Sequence, residues 1–418
     1  MTVRADPPWR ETLAAWAPGL AFSALLYLGI DAFERGMTTP YNLIVTGHML
    51  TAAAVLLMVA LWQGQRLVVD PRLGRAVLLL TGAAALSTAM APVPSAALER
   101  LQVYAATLAL GVGLYLVVRR RADEGLGAFL LGVPLVHALV LGSILLWLFW
   151  ARGEGTSVVW NVPQHANLRH VSYHGYVAAA LGTTLAVLRP RLRVTALLLA
   201  AVALFGILVL GSRAALLAWG VFAAAAVLGS RRRGLPLLLC GGVLVAAIAA
   251  AWVTNQRELM PVRGVIDRAA SGVQSAVTLS EREKHWQAAL KAVAERPLFG
   301  YGPEAFMKSG CCDPTRAQPH NAIVQFLLEF GVIGFAALAA AAALAVRAAV
   351  GSLDAARRRL GDSPAFLWLT ATLAGFGAYA MIDGVLYHAI PLMLFAMLAA
   401  LWCAAARASP PDAPDDAR

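Results

Sequence analysis

Residues 189–253 read RPRLRVTALLLAAVALFGILVLGSRAALLAWGVFAAAAVLGSRRRGLPLLLCGGVLVAAIAAAWV, and this stretch decides the fold. It holds three apolar runs, 194–210, 212–230 and 234–253, each close to the roughly 20 residues an α-helix needs to cross a bilayer core. The runs are parted by short breaks. Arg189, Arg191 and Arg193 precede the first, Ser212-Arg213 opens the second, and Arg231, Arg232 and Arg233 precede the third. The same alternation extends along the chain and predicts helices over 12–30, 41–62, 76–91, 98–118, 126–150, 171–188, 194–210, 212–230, 234–253, 320–346, 365–384 and 388–406. Composition agrees, because 60% of the 418 residues are hydrophobic and 14% are charged, against roughly 25% charged in soluble domains. The expectation is an all-α polytopic membrane protein of about twelve transmembrane helices. Helices one to nine fall in 1–253, a large loop in 254–319, helices ten to twelve in 320–407, and a disordered tail in 408–418.

The basic residues orient this array. Of 34 Lys and Arg, 20 lie at the termini and in alternate connections, at positions such as Arg66, Arg119, Arg189, Arg231 and Arg357. The other side has 14, but nine of them fall in the long 254–319 connection, and long loops escape the positive-inside rule. Both termini are therefore expected in the cytoplasm, with the 151–170 and 254–319 connections facing outward. A net charge of +11 then reads as topology signal and not as a nucleic-acid surface, since the arginines sit in short clusters without interleaved aromatics. The apolar segment after Arg4 and Arg10 has no small-residue cleavage signature and is expected to stay as a signal anchor. Four cysteines, with Cys311 and Cys312 adjacent and Cys240 and Cys403 inside apolar runs, offer neither a disulfide framework nor a metal spacing. Whether Cys311 and Cys312 pair is left open by the strain of a bond between neighbours.

The long loop contains all three lysines and a predicted helix from Glu281 to Glu295, with Trp286, Ala289, Leu290 and Val293 on one face. Arg296-Pro297 ends that helix, the turn Gly300-Tyr301-Gly302-Pro303 follows, and the chain returns to the membrane at Pro319-His320-Asn321. Ionisable residues gather at the outward ends of the helices. Arg213 is set among apolar neighbours, where it either meets an anionic partner or snorkels to headgroup phosphate. Arg282 either serves a site or simply pairs with Glu281 and Glu283 at a solvated helix start. His320 opens a polar stripe that Asn321, Gln325 and Glu329 continue down one helix face, which calls for a cavity lined by protein or water. A histidine there is either a general base at neutral pH or a hydrogen-bonded structural residue. A second group comprises Arg169, His170 and His174 where the 151–170 loop enters the sixth helix, and Asp383, Tyr387 and His388 near the end of the eleventh. No zinc spacing, P-loop or nucleophile elbow occurs.

In these residues the sequence resembles the bacterial O-antigen ligases, whose superfamily includes O-antigen polymerases and pilin oligosaccharyltransferases. The resemblance lies in the order of Ser212-Arg213, Arg282 with Trp286, Pro297-Leu298-Phe299-Gly300-Tyr301-Gly302, Pro319-His320-Asn321-Ala322-Ile323-Val324-Gln325 and Gly331. It implies a C-type helical membrane glycosyltransferase, inverting and independent of metal or other cofactor, with a periplasmic site. His320 then corresponds to the essential histidine, and Arg213 and Arg282 to the two essential arginines. Arg169, His174, Tyr301, Gln318 and Asp383 are expected to contact substrate. The implied partners are an undecaprenyl-diphosphate-linked O-antigen donor, a lipid A core acceptor and membrane lipids, with the protein a monomer in the bacterial inner membrane. Two rival readings stand beside the ligase. One is O-antigen polymerase, which uses the same donor; the other is a lipid or polysaccharide transporter, although the midplane charges and repeats typical of transporters reduce here to Glu329 alone.

Overall fold

A computed structural model of the chain describes residues 38–67, 69–119, 122–150, 170–256, 273–354 and 363–407. The described residues form helices and no strand. In chain order these are α1 (Thr38–Trp62), α2 (Pro71–Ala89), α3 (Pro94–Val118), α4 (Ala122–Trp150), α5 (Val171–Leu188), α6 (Arg193–Leu210), α7 (Arg213–Gly229), α8 (Gly234–Gln256), α9 (Val273–Glu295), α10 (Ala305–Lys308), α11 (Ala322–Asp354), α12 (Pro364–Ala380) and α13 (Ala389–Arg407). Among the described residues, eight segments are long and apolar enough to cross a membrane: within α1, α3, α4, α5, α8, α11 and α13, and over Pro190–Leu210 leading through α6. The chain is a multi-pass membrane protein. Three more of the predicted helices form, but α7 and α12 have 17 residues each and α2 starts with Arg72 and Arg75. The predicted 12–30 helix, the tail and most of the 151–170 connection lie outside the described residues.

Burial separates centre from perimeter. In α5 every residue from Val171 to Ala186 is buried, and α13 is nearly as enclosed. The outer helices α1, α4, α6 and α8 keep leucines such as Leu61, Leu139, Leu198 and Leu238 exposed on one side, as helices facing lipid do. Small residues let α5 sit inside: the Cα of Gly182 lies where an added Cβ would come 3.0 Å from the Ala196 carbonyl of α6. Close backbone approach of this kind is how membrane helices gain packing energy without a hydrophobic drive. Across the centre, Tyr176 of α5 donates to the Thr372 carbonyl of α12 at 2.7 Å, in space left by Gly375.

The loop motif read as a turn has a larger part. Helix α11 breaks at Gly331, whose φ of 62° and ψ of −171° interrupt the helical ladder. Pro297–Gly302 fills the break. The Tyr301 and Gly302 amides donate to the Leu328 and Glu329 carbonyls at 2.8 and 2.9 Å, and the Val332 and Ile333 amides donate to the Pro297 and Leu298 carbonyls at 2.8 and 3.2 Å. Ser87 of α2 adds its hydroxyl to the Glu329 carbonyl. Irregular backbone is tolerated at membrane depth only when protein satisfies its polar groups, and here each side of the break satisfies the other. Both glycines are required by contact as well as by φ: a Cβ on Gly300 would stand 2.4 Å from the Leu328 oxygen, and one on Gly331 2.4 Å from the Leu298 carbonyl.

Helix α9 starts at Val273, eight residues before the predicted start. Trp286, Ala289 and Val293 pack inward with Tyr301, Phe306 and Leu328, as the periodicity implies. Leu290 does not join them and is exposed, its place taken by the buried Ala292.

Candidate active site at one end of the bundle

The polar stripe of α11 starts outside the helix. Asn321 caps α11 by accepting from the Val324 amide at 3.1 Å, and its own amide donates to the Met381 carbonyl just past α12 at 3.0 Å. Further along, Gln325 donates to Tyr104 of α3 at 3.1 Å, and Tyr104 donates to Glu329 at 3.0 Å. Gln325 and Glu329 are both buried, so the stripe faces protein and not lipid.

His320 stands at the head of this stripe with φ of 59°, a left-handed backbone conformation that among the described non-glycine residues it shares with Glu304 alone. Such conformations cost of order 1–3 kcal/mol and persist where surrounding contacts over-determine them. Three contacts do so here. The His320 amide donates to Gln318 Oε1, Gln318 Nε2 lies 3.0 Å from His320 Nδ1, and Asp383 Oδ1 lies 3.1 Å from the same Nδ1. The backbone contact fixes which end of the Gln318 amide faces the ring. Gln318 in turn fits only because position 384 is glycine: an added Cβ there would come 2.1 Å from Gln318 Nε2.

Asp383 belongs to the connection between α12 and α13. Its carboxylate accepts from the Gly384 amide at 2.8 Å and from the Tyr173 hydroxyl of α5 at 3.3 Å. Burial alone would raise its pKa, but the hydrogen bond and charge of His320, the Gly384 amide and the charge of Arg282 outweigh burial and hold the carboxyl at about 2. Asp383 is therefore ionised at any physiological pH and accepts only. Its natural partner is an Nδ1–H on His320; in that tautomer the Gln318 NH2 packs against the ring without a hydrogen bond to Nδ1, and the lone pair is on Nε2.

Arg282 acts on the Asp383 carboxylate by its charge, and α9, which carries it, is tied to the returning loop. One turn along α9, Trp286 Nε1 donates to the Pro319 carbonyl at 2.8 Å, and His285 Nδ1 lies 3.8 Å from Asp313 Oδ2. Arg213 is the first residue of α7 and is exposed. Gly211, at φ of 79°, ends α6 in the left-handed form, and Ser212 caps α7 while its hydroxyl meets the Tyr379 hydroxyl at 3.1 Å. Tyr379 packs edge-on against Tyr173 at 5.4 Å between ring centroids, so a run of contacts joins the start of α7 to Asp383 and His320.

The remaining predicted residues separate. Gln318 is against His320. Tyr301 is buried, donates to Glu295 at 2.8 Å and lies under the Arg296 guanidinium at 4.7 Å, so its hydroxyl is engaged within the loop. His174 is buried in α5, only 1% exposed. Arg169 lies outside the described residues.

Sequence reading missed Tyr173 and the group Arg100, Glu304 and Tyr104. His170 and His388, noted as neighbours of the site, stack on Tyr173 and meet each other at 4.4 Å between centroids. The one available signal was Arg100, a charge at the head of an apolar run, which pairs with Glu304 at 2.6 Å.

A comparison with curated proteins finds no match. A family model described as O-antigen ligase matches residues 195–339, a segment that carries Arg213, Arg282, His320 and Gly331 and stops before Asp383. The family implies a glycosyl-transfer enzyme of lipopolysaccharide biosynthesis, of ligase or polymerase type. Over residues 195–339, about a third of its length, the chain is similar to the O-antigen ligase family.

Proposed function

We propose that the protein is an O-antigen ligase, moving a polysaccharide from undecaprenyl diphosphate to a sugar hydroxyl of lipid A core at the periplasmic face of the inner membrane. The observation that carries this reading is His320 Nδ1 at 3.1 Å from the Asp383 carboxylate, a pairing that favours the tautomer with its lone pair on Nε2, with the charge of Arg282 acting on the same carboxylate. In the proposed step His320 Nε2 takes the proton of the acceptor hydroxyl, whose oxygen attacks the anomeric carbon of the donor. The bond from that carbon to the diphosphate oxygen breaks on the opposite face, so the anomeric configuration inverts. Asp383 stabilises the imidazolium without itself being protonated, the role of the acid in a serine-protease triad. General-base assistance of this kind contributes about 10²–10⁴ in rate.

Undecaprenyl diphosphate departs with added negative charge. Arg213 and Arg282 suit it, because guanidinium forks pair with phosphate oxygens bidentately and stay charged at every relevant pH. That role takes the place of a divalent cation in this proposal. Arg169 remains a proposed diphosphate contact, whereas the positions of Gln318, Tyr301 and His174 support holding the site together more than touching substrate.

The test is lipopolysaccharide from cells carrying His320→Ala at matched expression, with the undecaprenyl-linked polymer assayed separately. Bare core with polymer accumulating on undecaprenyl diphosphate is the expected result. Core bearing a single repeat unit without long polymer identifies a polymerase instead, and activity near wild type removes His320 from the chemistry.

A further inference from the structure

Cys311 and Cys312 follow α10 in a tight turn opened by Gly310 at φ of 76°. Both are partly exposed, their sulfurs lie 2.7 Å apart, and the pair rests on the cluster of Trp286, Tyr301 and Phe306. We propose that this vicinal pair is a thiol–disulfide exchange site, closed to an intramolecular disulfide by a small-molecule or protein disulfide that serves as oxidant.

The two thiols are unequal. The hydrogen bond from Cys312, opposed by burial and helped by Ser309, brings the Cys311 thiol down to about 7, while the same bond and burial push Cys312 up. Near neutral pH Cys311 is substantially thiolate, the form that attacks a disulfide. Its sulfur bonds to one sulfur of the oxidant and expels the other as a thiolate. Cys312 then gives its proton to water and attacks the Cys311 sulfur, expelling the second oxidant thiolate. Two electrons have passed to the oxidant, whose two thiolates exchange protons with water, and the ring is closed. Cys240 and Cys403 lie within α8 and α13, each without a cysteine next to it in the sequence.

The position gives closure a consequence for the fold. Asp313, the next residue, accepts from the Thr315 amide at 2.8 Å and Thr315 hydroxyl at 2.6 Å, and faces His285 of α9. Six residues on, Pro319 accepts from Trp286. The disulfide would thus stiffen the start of the strap that keeps α9, and Arg282 with it, against the His320 turn.

The full-length protein, purified in detergent, is exposed to oxidised glutathione, quenched in acid, blocked with N-ethylmaleimide and digested with trypsin. Cleavage after Lys308 and Arg316 releases both cysteines in one peptide. The expected peptide is lighter by two hydrogens and carries no maleimide, and prior reduction returns it with two. In Cys312→Ser the second step is blocked, so Cys311 is expected to stop as its glutathione adduct. A wild-type peptide that keeps two maleimides, or that accumulates a glutathione adduct without closing, overturns the proposal.

Discussion

Asp383 accepts from the His320 ring, the Tyr173 hydroxyl and the Gly384 amide, so replacing it with asparagine removes a charge and keeps most of the shape. Transfer by Asp383→Asn is expected to fall by about 10²-fold or more in kcat, read in detergent with purified donor and acceptor; unchanged kcat would detach Asp383 from the base. The same carboxyl makes a pH prediction with a fixed sign. Its folded pKa of about 2 lies below an unfolded value of about 3.9, so its contribution to stability is complete above pH ~4 and is lost as pH falls toward 2. The gap in apparent Tm between wild type and Asp383→Asn should close over that window, and a gap that widens in acid contradicts the assignment. Gly384→Ala tests the support: with a Cβ 2.1 Å from Gln318 Nε2, the amide must leave the His320 ring, and kcat is expected to drop with little change in Tm. His320 and both arginines were legible as candidates because charged or titratable groups among apolar neighbours stand out. The pairing of His320 with Asp383, 63 residues away, was not, because it depends on where the end of α12 meets the start of α11.

At the scale of elements, the docking of 297–302 into broken α11 makes a prediction with an internal control. Gly300, Gly331 and Gly310 all have positive φ, but a Cβ meets backbone within 2.4 Å at the first two and nothing within 4 Å at the third. Gly310→Ala should therefore cost only the left-handed strain, about 1–2 kcal/mol. Gly300→Ala and Gly331→Ala carry that strain plus a clash that no side-chain rotation relieves, and each should lower apparent Tm well beyond Gly310→Ala. The double variant should add little to either single one, since both undo one docking. Equal effects at all three positions would show that φ alone matters. The sequence announced the glycines and the helix end at Arg296-Pro297, but not the break in α11. An apolar run through Gly331 reads as continuous helix, and only the tertiary partner that supplies the missing hydrogen bonds makes the interruption tolerable.

Across the whole molecule, one buried ion pair joins three parts of the chain that the spans alone would leave independent. Arg100 of α3 pairs with Glu304 of the loop, donates through Nη1 to the Tyr387 carbonyl at 2.9 Å, and lies 4.0 Å over the Tyr387 ring, while Tyr387 Oη donates to Glu304 at 2.8 Å. The Tyr387 amide bonds the Gly384 carbonyl, so the pair also steadies the turn that carries Asp383. Arg100 and Glu304 are 2% and 4% exposed, and removing one partner of a pair so deeply buried costs about 3–5 kcal/mol, mostly from the charge left behind. Arg100→Met and Glu304→Gln should each lower apparent Tm sharply and reduce folded yield from the membrane. Combined, they remove both charges while the side-chain amide oxygen introduced by Glu304→Gln can still accept from Tyr387, so the double variant should recover more than half of the loss of either single one. A double variant that is as unstable as the sum of the two would mean that Arg100 and Glu304 act separately. Recovery of Tm without recovery of transfer would instead assign the pair to alignment of the Asp383 turn, beyond holding the loop to the bundle.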